Sequence, residues 1–226
     1  MPKDRDNDQF KIGIKMLHDT YYEHVRDDIF GLLPNKIEKI LEIGCGAGGT
    51  LNVIRAKYSP QHIVGIDISE TALKKAGSTL NEAYALDLNT QTLPDTLGSF
   101  DTILCLDVLE HLMDPWETLN ILHQKLDDNG TIVLSLPNIR YIGIIFDLLL
   151  KGKWEYTDAG ILDRTHLRFF TQDSLREMIE NANFHIEILE PKISGRKRSL
   201  LNKLSFNVFS NLLAKQYLVK AKKVKS

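Results

Sequence analysis

The sequence predicts an α/β fold: a doubly wound, mostly parallel sheet with helices on both faces. Three observations carry this. From Lys39 onward, short apolar runs of strand length alternate with helical segments, the pattern of successive βαβ units. A glycine-rich turn at 44–49 separates the first apolar run from the first helix of that alternation. The chain has 226 residues, enough for one domain with some decoration.

The elements follow in order. Residues 1–9 are polar and charged and are expected to fray. Between 10 and 33, Ile14, Leu17, Tyr21, Val25, Ile29 and Leu32 recur at helical steps until Pro34 stops the pattern. A strand at 39–43 and a helix at 49–57 come next. A strand at 63–66 leads into a helix whose N-cap is Ser69, with Glu70 in the first turn. Short strands are expected at 83–86 and 100–106. A helix at 115–126 opens with Pro115, and Asp128, Asn129 and Gly130 turn the chain into a strand at 131–136.

After Pro137 the alternation stops. An apolar helix at 139–150 leads to an irregular segment, 152–168, rich in Trp, Tyr, Asp and His. Thr171 suits the N-cap of a helix at 172–181. A strand at 185–189, a basic turn at 195–199, an amphipathic helix at 200–213 and a last strand at 216–221 complete the reading.

Composition narrows the class. With 43% apolar and 26% charged residues, the chain is neither wholly disordered, nor collagen-like, nor a disulfide-stapled miniprotein. The net charge of −2 hides an asymmetry, because 192–226 holds ten Lys or Arg and no Asp or Glu. Such a basic end suggests an anionic partner near one edge. Two cysteines, Cys45 and Cys105, give no disulfide framework. The first residues lack the apolar core of a signal peptide. The apolar stretch at 139–150, interrupted by Arg140 and Asp147, is too short to span a bilayer. The expectation is a soluble, cytoplasmic protein with 1–226 as one domain and 222–226 as a loose basic end.

Ligands of parallel sheets bind at the carboxyl ends of the strands. Gly44, Gly46 and Gly49 fit a glycine-rich turn whose backbone closely approaches a nucleoside cofactor at a helix N-terminus. Asp67 ends the second strand 23 positions after Gly44, where a carboxylate accepts from a ribose diol. Glu42, two residues before Gly44, would repel a pyrophosphate and attract a cationic ligand such as an amino group or a sulfonium. Asp87 follows the third strand, in place to accept from an adenine amino group.

The runs LEIGCGAGG, VGIDIS, ALDLN and FDTILCLDVLEHL together resemble the class I S-adenosylmethionine-dependent methyltransferases, in the family's order and spacing, from about Tyr21 onward. The resemblance implies a Rossmann-like, seven-stranded, mostly parallel sheet with an antiparallel last strand, an N-terminal helix and a substrate-capping insertion at 138–170. It implies S-adenosylmethionine as cofactor. Glu42 and the backbone of Gly44, Cys45 and Gly46 would face its methionine part, and Asp67 its ribose. Ile68, Asp87 and Leu88 would surround the adenine, and Leu106 and Asp107 would lie beside the sulfonium. Tyr22 and Arg26 resemble an N-terminal element that closes over the cofactor; helix packing and a surface ion pair are the other reading of these two.

The acceptor side is less marked. A hydroxyl acceptor needs a general base, and His changes charge near neutral pH. His166, in 163–171, is the leading base, with Asp163 as a group to orient its ring; a structural histidine is the alternative. His111 is a second base candidate or a packing residue. Asp107, Glu110 and His111 resemble the cluster with which some family members bind Mg²⁺, although the same Glu-His pair recurs in metal-free relatives, and no metal is expected. The run 163–171, with Pro137, Asn138 and the preceding segment 154–161, resembles a subfamily associated with cell-surface polysaccharides and glycolipids. The implied acceptor is a small molecule, with a sugar or glycolipid hydroxyl ahead of a quinone-precursor phenol or an amine. A non-catalytic S-adenosylmethionine-binding module is the alternative of another class. The apolar helices pack across the acceptor pocket or, for 196–213 with Arg196, Lys197, Arg198 and Lys203, touch a membrane surface or an anionic, lipid-linked acceptor. Nucleic acid is not an expected partner, because the body is acidic and lacks a recognisable RNA-binding module.

Overall fold

Seven strands, β1 (Lys39–Ile43), β2 (His62–Asp67), β3 (Glu82–Ala85), β4 (Phe100–Leu106), β5 (Leu126–Pro137), β6 (Phe184–Lys192) and β7 (Gln216–Lys223), form one sheet in the order β3-β2-β1-β4-β5-β7-β6. The computed structural model describes residues 25–224, apart from the side chains of Lys197 and Leu201. Strands β1 to β5 pair in parallel, and β7 runs antiparallel between β5 and β6. This is the doubly wound sheet with an antiparallel last strand that the sequence predicts. From β1 the chain builds outward through β2 and β3, then returns to lay β4 on the opposite side. The reversal between β1 and β4 leaves a crevice at their carboxyl ends.

The central strands are buried on both faces, which explains their continuous apolar runs. Successive residues serve different layers. Leu41, Val64, Ile103 and Ile132 join one core, while their neighbours Ile40, Ile63, Leu104 and Val133 join the other. Helices α1 (Gly49–Tyr58) and α2 (Glu70–Ala76) contribute Leu51, Ile54 and Leu73 to the second core. Helices α3 (Pro115–Lys125) and α5 (Gln172–Asn181) contribute Leu119, Leu122, Leu175 and Met178 to the first. Between them, α4 (Ile142–Lys151) stands apart from both cores and buries none of its residues. Two further helices, α6 (Arg196–Leu204) and α7 (Ser210–Leu213), precede β7.

The caps follow local chemistry. Ser69 Oγ accepts from Ala72 N at 3.2 Å. Asp114 caps α3 by accepting from Glu117 N at 2.9 Å, with Pro115 in the first turn. Thr171 and Ser174 form a reciprocal capping box on α5.

Five expectations need correction. Of the helix expected at 10–33, residues 10–24 lie outside the described residues, as do 1–9. Residues 27–33 form a short 3₁₀ turn, Asp27–Ile29, and bends. Gly31 and Pro34 weaken a helix there, and Arg26 and Asp28 are drawn into ion pairs; Ile29, Leu32 and Leu33 are nonetheless buried. Helix α4 begins at Ile142 because Ile139 N donates to Phe170 O at 3.0 Å. The basic turn at 195–199 is the start of α6. The helix expected at 200–213 is broken by left-handed Phe206 (φ +52°) and Asn207 (φ +66°). Buried Asn202 holds that break, donating to Asn207 Oδ1 at 2.8 Å and accepting from Ser210 Oγ at 3.1 Å. Finally, the loose end expected at 222–226 begins inside β7. Lys222 pairs with Glu187 at 3.1 Å and Lys223 Nζ donates to Leu126 O at 2.8 Å.

Candidate active site

A cavity of about 540 Å³ opens at the carboxyl ends of β1, β2 and β4. Its floor is the turn after β1. Gly44 N and Cys45 N both donate to Ile66 O, at 2.7 and 3.1 Å, pinning the turn to β2. Gly44 has φ +71°, and a Cβ there would strike the Val108 side chain, so only glycine brings the backbone this close. Gly48 (φ +74°) leads into α1 without a side-chain cap, which leaves first-turn N–H groups for a ligand.

Two carboxylates face this cavity. Asp67 is locked: its oxygens accept from Gly46 N and Ser69 N, each at 2.8 Å. Glu42 is fully buried and its Oε2 has no hydrogen-bond partner. Burial pushes its carboxyl up to about 8, with Arg26 opposing and Asp67 adding to the rise. A buried carboxyl with one oxygen lacking a partner, beside a glycine cradle, fits a ligand bearing a positive charge. S-adenosylmethionine carries both an ammonium and a sulfonium, so these residues suit it. Burial likewise raises the Cys45 thiol, with Glu42 and Asp67 adding to the rise.

Ile68, exposed at the cavity, and Leu88 and half-buried Asp87 line its far side. The Asp87 carboxylate accepts from Asn89 N at 2.9 Å and from Thr90 Oγ1 at 3.3 Å. The sequence reading overlooked Asn89. Its amide donates to His111 O at 3.3 Å and accepts from Met113 N at 2.7 Å, tying the loops after β3 and β4. An Asn two residues after a strand-end Asp was the available signal.

Leu106 and Asp107 end β4 on the cavity wall. Asp107 adopts φ +56°, and its carboxylate accepts from Arg26, from Gln216 and from Ser135 Oγ, the last at 3.0 Å. Arg26 also donates to Asp28 at 3.0 and 3.1 Å, and Lys192 reaches Asp28 as well. Burial alone would raise the Asp28 carboxyl, but Arg26 and Lys192 hold it down at about 2. Arg26 thus lines one side of the cavity, held there by ion pairs; Tyr22 lies outside the described residues. Ser135, Gln216, Asp28 and Lys192 were not legible, because they come from four separate segments.

Asp107, Arg26 and His111 also border a second cavity, of about 790 Å³. Its outer wall comes from the capping insertion, with Tyr141 and Ile144 on one side and 157–163 with His166 on another. His166 Nδ1 donates to Ile161 O at 3.0 Å, which leaves its Nε2 unprotonated in the neutral ring. Asp163 does not orient this ring as expected. Its carboxylate accepts instead from Thr165 N at 2.8 Å and Thr165 Oγ1 at 2.6 Å. The His111 and His166 rings meet edge to face at 4.7 Å. His111 Nδ1 lies 3.3 Å from Thr165 O. Burial, with His166 adding to it, lowers the His111 pKa and so favours its neutral ring.

Glu110 is buried, its Oε2 has no partner, and burial beside Asp107 holds its carboxyl well above the usual range. Its backbone oxygen accepts from Leu167 N at 2.8 Å and Arg168 N at 3.0 Å, fastening the insertion to β4. The cluster named from the sequence was Asp107, Glu110 and His111. The structure instead gathers donor atoms of Glu110, His111 and His166 within 4.8 Å of one another, because Arg26, Ser135 and Gln216 occupy the Asp107 carboxylate.

Comparison with known proteins gives the family. Residues 16–188 match the model of a methyltransferase domain family. The chain is 31% identical over 134 residues to a ubiquinone biosynthesis O-methyltransferase of Xanthomonas campestris, covering 53% of this chain and 55% of the relative. It therefore spans about half the length of the curated relatives it matches. An S-adenosylmethionine-dependent methyltransferase of Mesorhizobium loti shares the fold with a TM-score of 0.61 at 19% identity, over 87% of this chain and 96% of that one. One from Archaeoglobus fulgidus gives 0.63 at 18% identity, over 92% and 99%. The domain match covers most of the chain, and the order of the strands agrees with the shared fold: the chain belongs to the methyltransferase domain family, among the class I S-adenosylmethionine-dependent methyltransferases.

Proposed function

We propose that the chain methylates a hydroxyl of a small molecule, a phenolic hydroxyl of a quinone precursor ahead of a sugar or glycolipid hydroxyl, and either ahead of an amine. One observation carries the O-methylation reading. In the cavity that adjoins the cofactor site, the Ile161 carbonyl holds the His166 Nδ1 proton, so Nε2 is available as a base. The bound cofactor supplies a methyl carbon on a sulfonium, open to in-line displacement. The chain's residues do the rest. Glu42 and Asp67 seat and orient, the Asp107–Arg26 pair separates the two cavities, and His166 takes the acceptor proton.

Two arguments favour a phenol. A phenol ionises near pKa 10, far closer to imidazole than an aliphatic hydroxyl, so one histidine suffices. The relatives named ubiquinone biosynthesis O-methyltransferase act in that chemistry. In the test, His166→Ala lowers turnover on phenolic acceptors by about 10²–10⁴-fold with unchanged S-adenosylmethionine affinity. Unchanged turnover overturns the base assignment.

The gathered Glu110, His111 and His166 favour a second reading, in which they hold a divalent cation that binds the acceptor oxygens. Chelation separates the two: full activity in excess chelator removes the cation, and loss restored by metal removes the unaided histidine.

A further inference from the structure

We infer that α4 and the stretch from α6 to α7 form a contact face for an anionic bilayer surface beside the acceptor cavity. The inference does not depend on which acceptor is methylated. Helix α4 reads IGIIFDLLLK and buries nothing. Phe146, Leu148 and Leu150 are exposed, and Leu149 is 74% exposed. Leu200, Leu204, Val208 and Phe209 are exposed too, and Phe206 is 91% exposed where the chain turns left-handed between α6 and α7. Apolar side chains gathered in this way on a soluble surface mark an interaction site.

The two elements lie together. The Arg198 guanidinium sits 5.3 Å from the ring centre of Tyr141, the N-cap of α4. Asn138, just before α4, donates to Asn211 O at 2.7 Å and Ala214 O at 2.9 Å, holding α7 against the same corner. Tyr141, Ile144 and Ser194 border the acceptor cavity, so both elements adjoin it.

Charge chooses the occupant. Exposed Arg196 and Lys203 and half-buried Arg198 lie on α6, in a stretch from Lys192 onward without a single acidic residue. The one acid of α4, Asp147, is paired with Lys151 at 2.7 Å. Exposed apolar side chains flanked by cations suit an interface with anionic headgroups. No helix among the described residues is long and apolar enough to cross a membrane, so the contact is a peripheral one. An amphipathic acceptor would then reach His166 directly from the bilayer surface.

The test is co-sedimentation of the full chain with vesicles of phosphatidylcholine, with and without phosphatidylglycerol, beside sedimentation velocity of the protein alone. The chain should pellet with phosphatidylglycerol vesicles and bind neutral ones at least about tenfold more weakly. Leu149→Glu and Phe206→Glu should each weaken binding by about tenfold. The Arg196→Glu and Lys203→Glu double variant should abolish the anionic preference. All three should keep wild-type S-adenosylmethionine affinity, which shows that they fold. Failure to pellet with either vesicle overturns the inference, as does pelleting that the variants leave intact. A dimer in solution that Leu149→Glu or Phe206→Glu dissolves also overturns it, and makes the face a contact between copies.

Discussion

The cofactor cavity and the acceptor cavity share a wall, yet they are built in opposite ways. The first is made where strands end. Its turn is bonded to β2 by Gly44 N and Cys45 N, its Asp67 is fixed by two backbone donors, and its Glu42 side chain rises from a strand buried on both faces. The second is made by an insertion hung on Glu110 O, with side chains from the loop, α4, β6 and β7 converging on it. A site built on strand ends is preorganised by the sheet, whereas a site built on an insertion is free to vary with its substrate.

Asp67→Ala should break the first cavity with the largest effect. It removes the charge-assisted bonds from Gly46 N in the turn and from Ser69 N after β2, along with the expected ribose acceptor. Cofactor affinity should fall by about 10²-fold, from about 3 kcal/mol of lost interaction. Calorimetric titration checks this, and turnover at saturating cofactor should fall much less.

Two glycines sharpen the contrast. Gly44 (φ +71°) and Gly160 (φ +94°), one in each cavity, are both left-handed, but a Cβ strikes Val108 only at Gly44 and meets nothing within 4 Å at Gly160. Gly44→Ala should cost about 2–4 kcal/mol, strain and clash together. Gly160→Ala should cost about 1 kcal/mol, strain alone. Denaturant melts of the two variants compare them; equal costs would show that the turn yields as readily as the loop.

The smallest effect concerns the ion pairs that join the two cavities. The Asp28 carboxyl is lower folded, at about 2, than its ordinary 3.8. A depressed carboxyl contributes stability that is present above the unfolded value and lost as pH falls through the folded one. Asp28→Asn should therefore destabilise by about 1 kcal/mol at pH 7, and the difference from wild type should shrink between pH 4 and pH 2 in thermal melts.

The same division governs what the sequence disclosed. Gly44, Asp67 and Asp87 were legible because each follows an apolar run of strand length, and Asp107 through the family resemblance. The Asp107 network was not, since Arg26, Ser135 and Gln216 are brought together only by the strand order. His166 was legible as a residue type in a suggestive loop, but its orienting partner was not: the carbonyl of Ile161 has no side-chain signature. The break at Phe206 and Asn207 escaped notice because apolar periodicity continues across it, while the side chain of Asn202 decides the backbone.

Glu42 is central: a buried carboxyl whose Oε2 has no hydrogen-bond partner and which suits a cation. Its folded value of about 8 lies above the ordinary 4.5. A raised carboxyl stabilises the unliganded fold fully below the unfolded value, and that stability is lost as pH rises through the folded one. A cation should reverse this by drawing the proton off. The decisive measurement is calorimetric titration of S-adenosylmethionine at pH 6 and pH 7 in buffers of different ionisation heat. The account predicts release of close to one proton and a roughly tenfold rise in affinity between the two pH values, both absent in Glu42→Gln. Binding without proton release, or a Glu42→Gln variant indistinguishable from wild type, would contradict it.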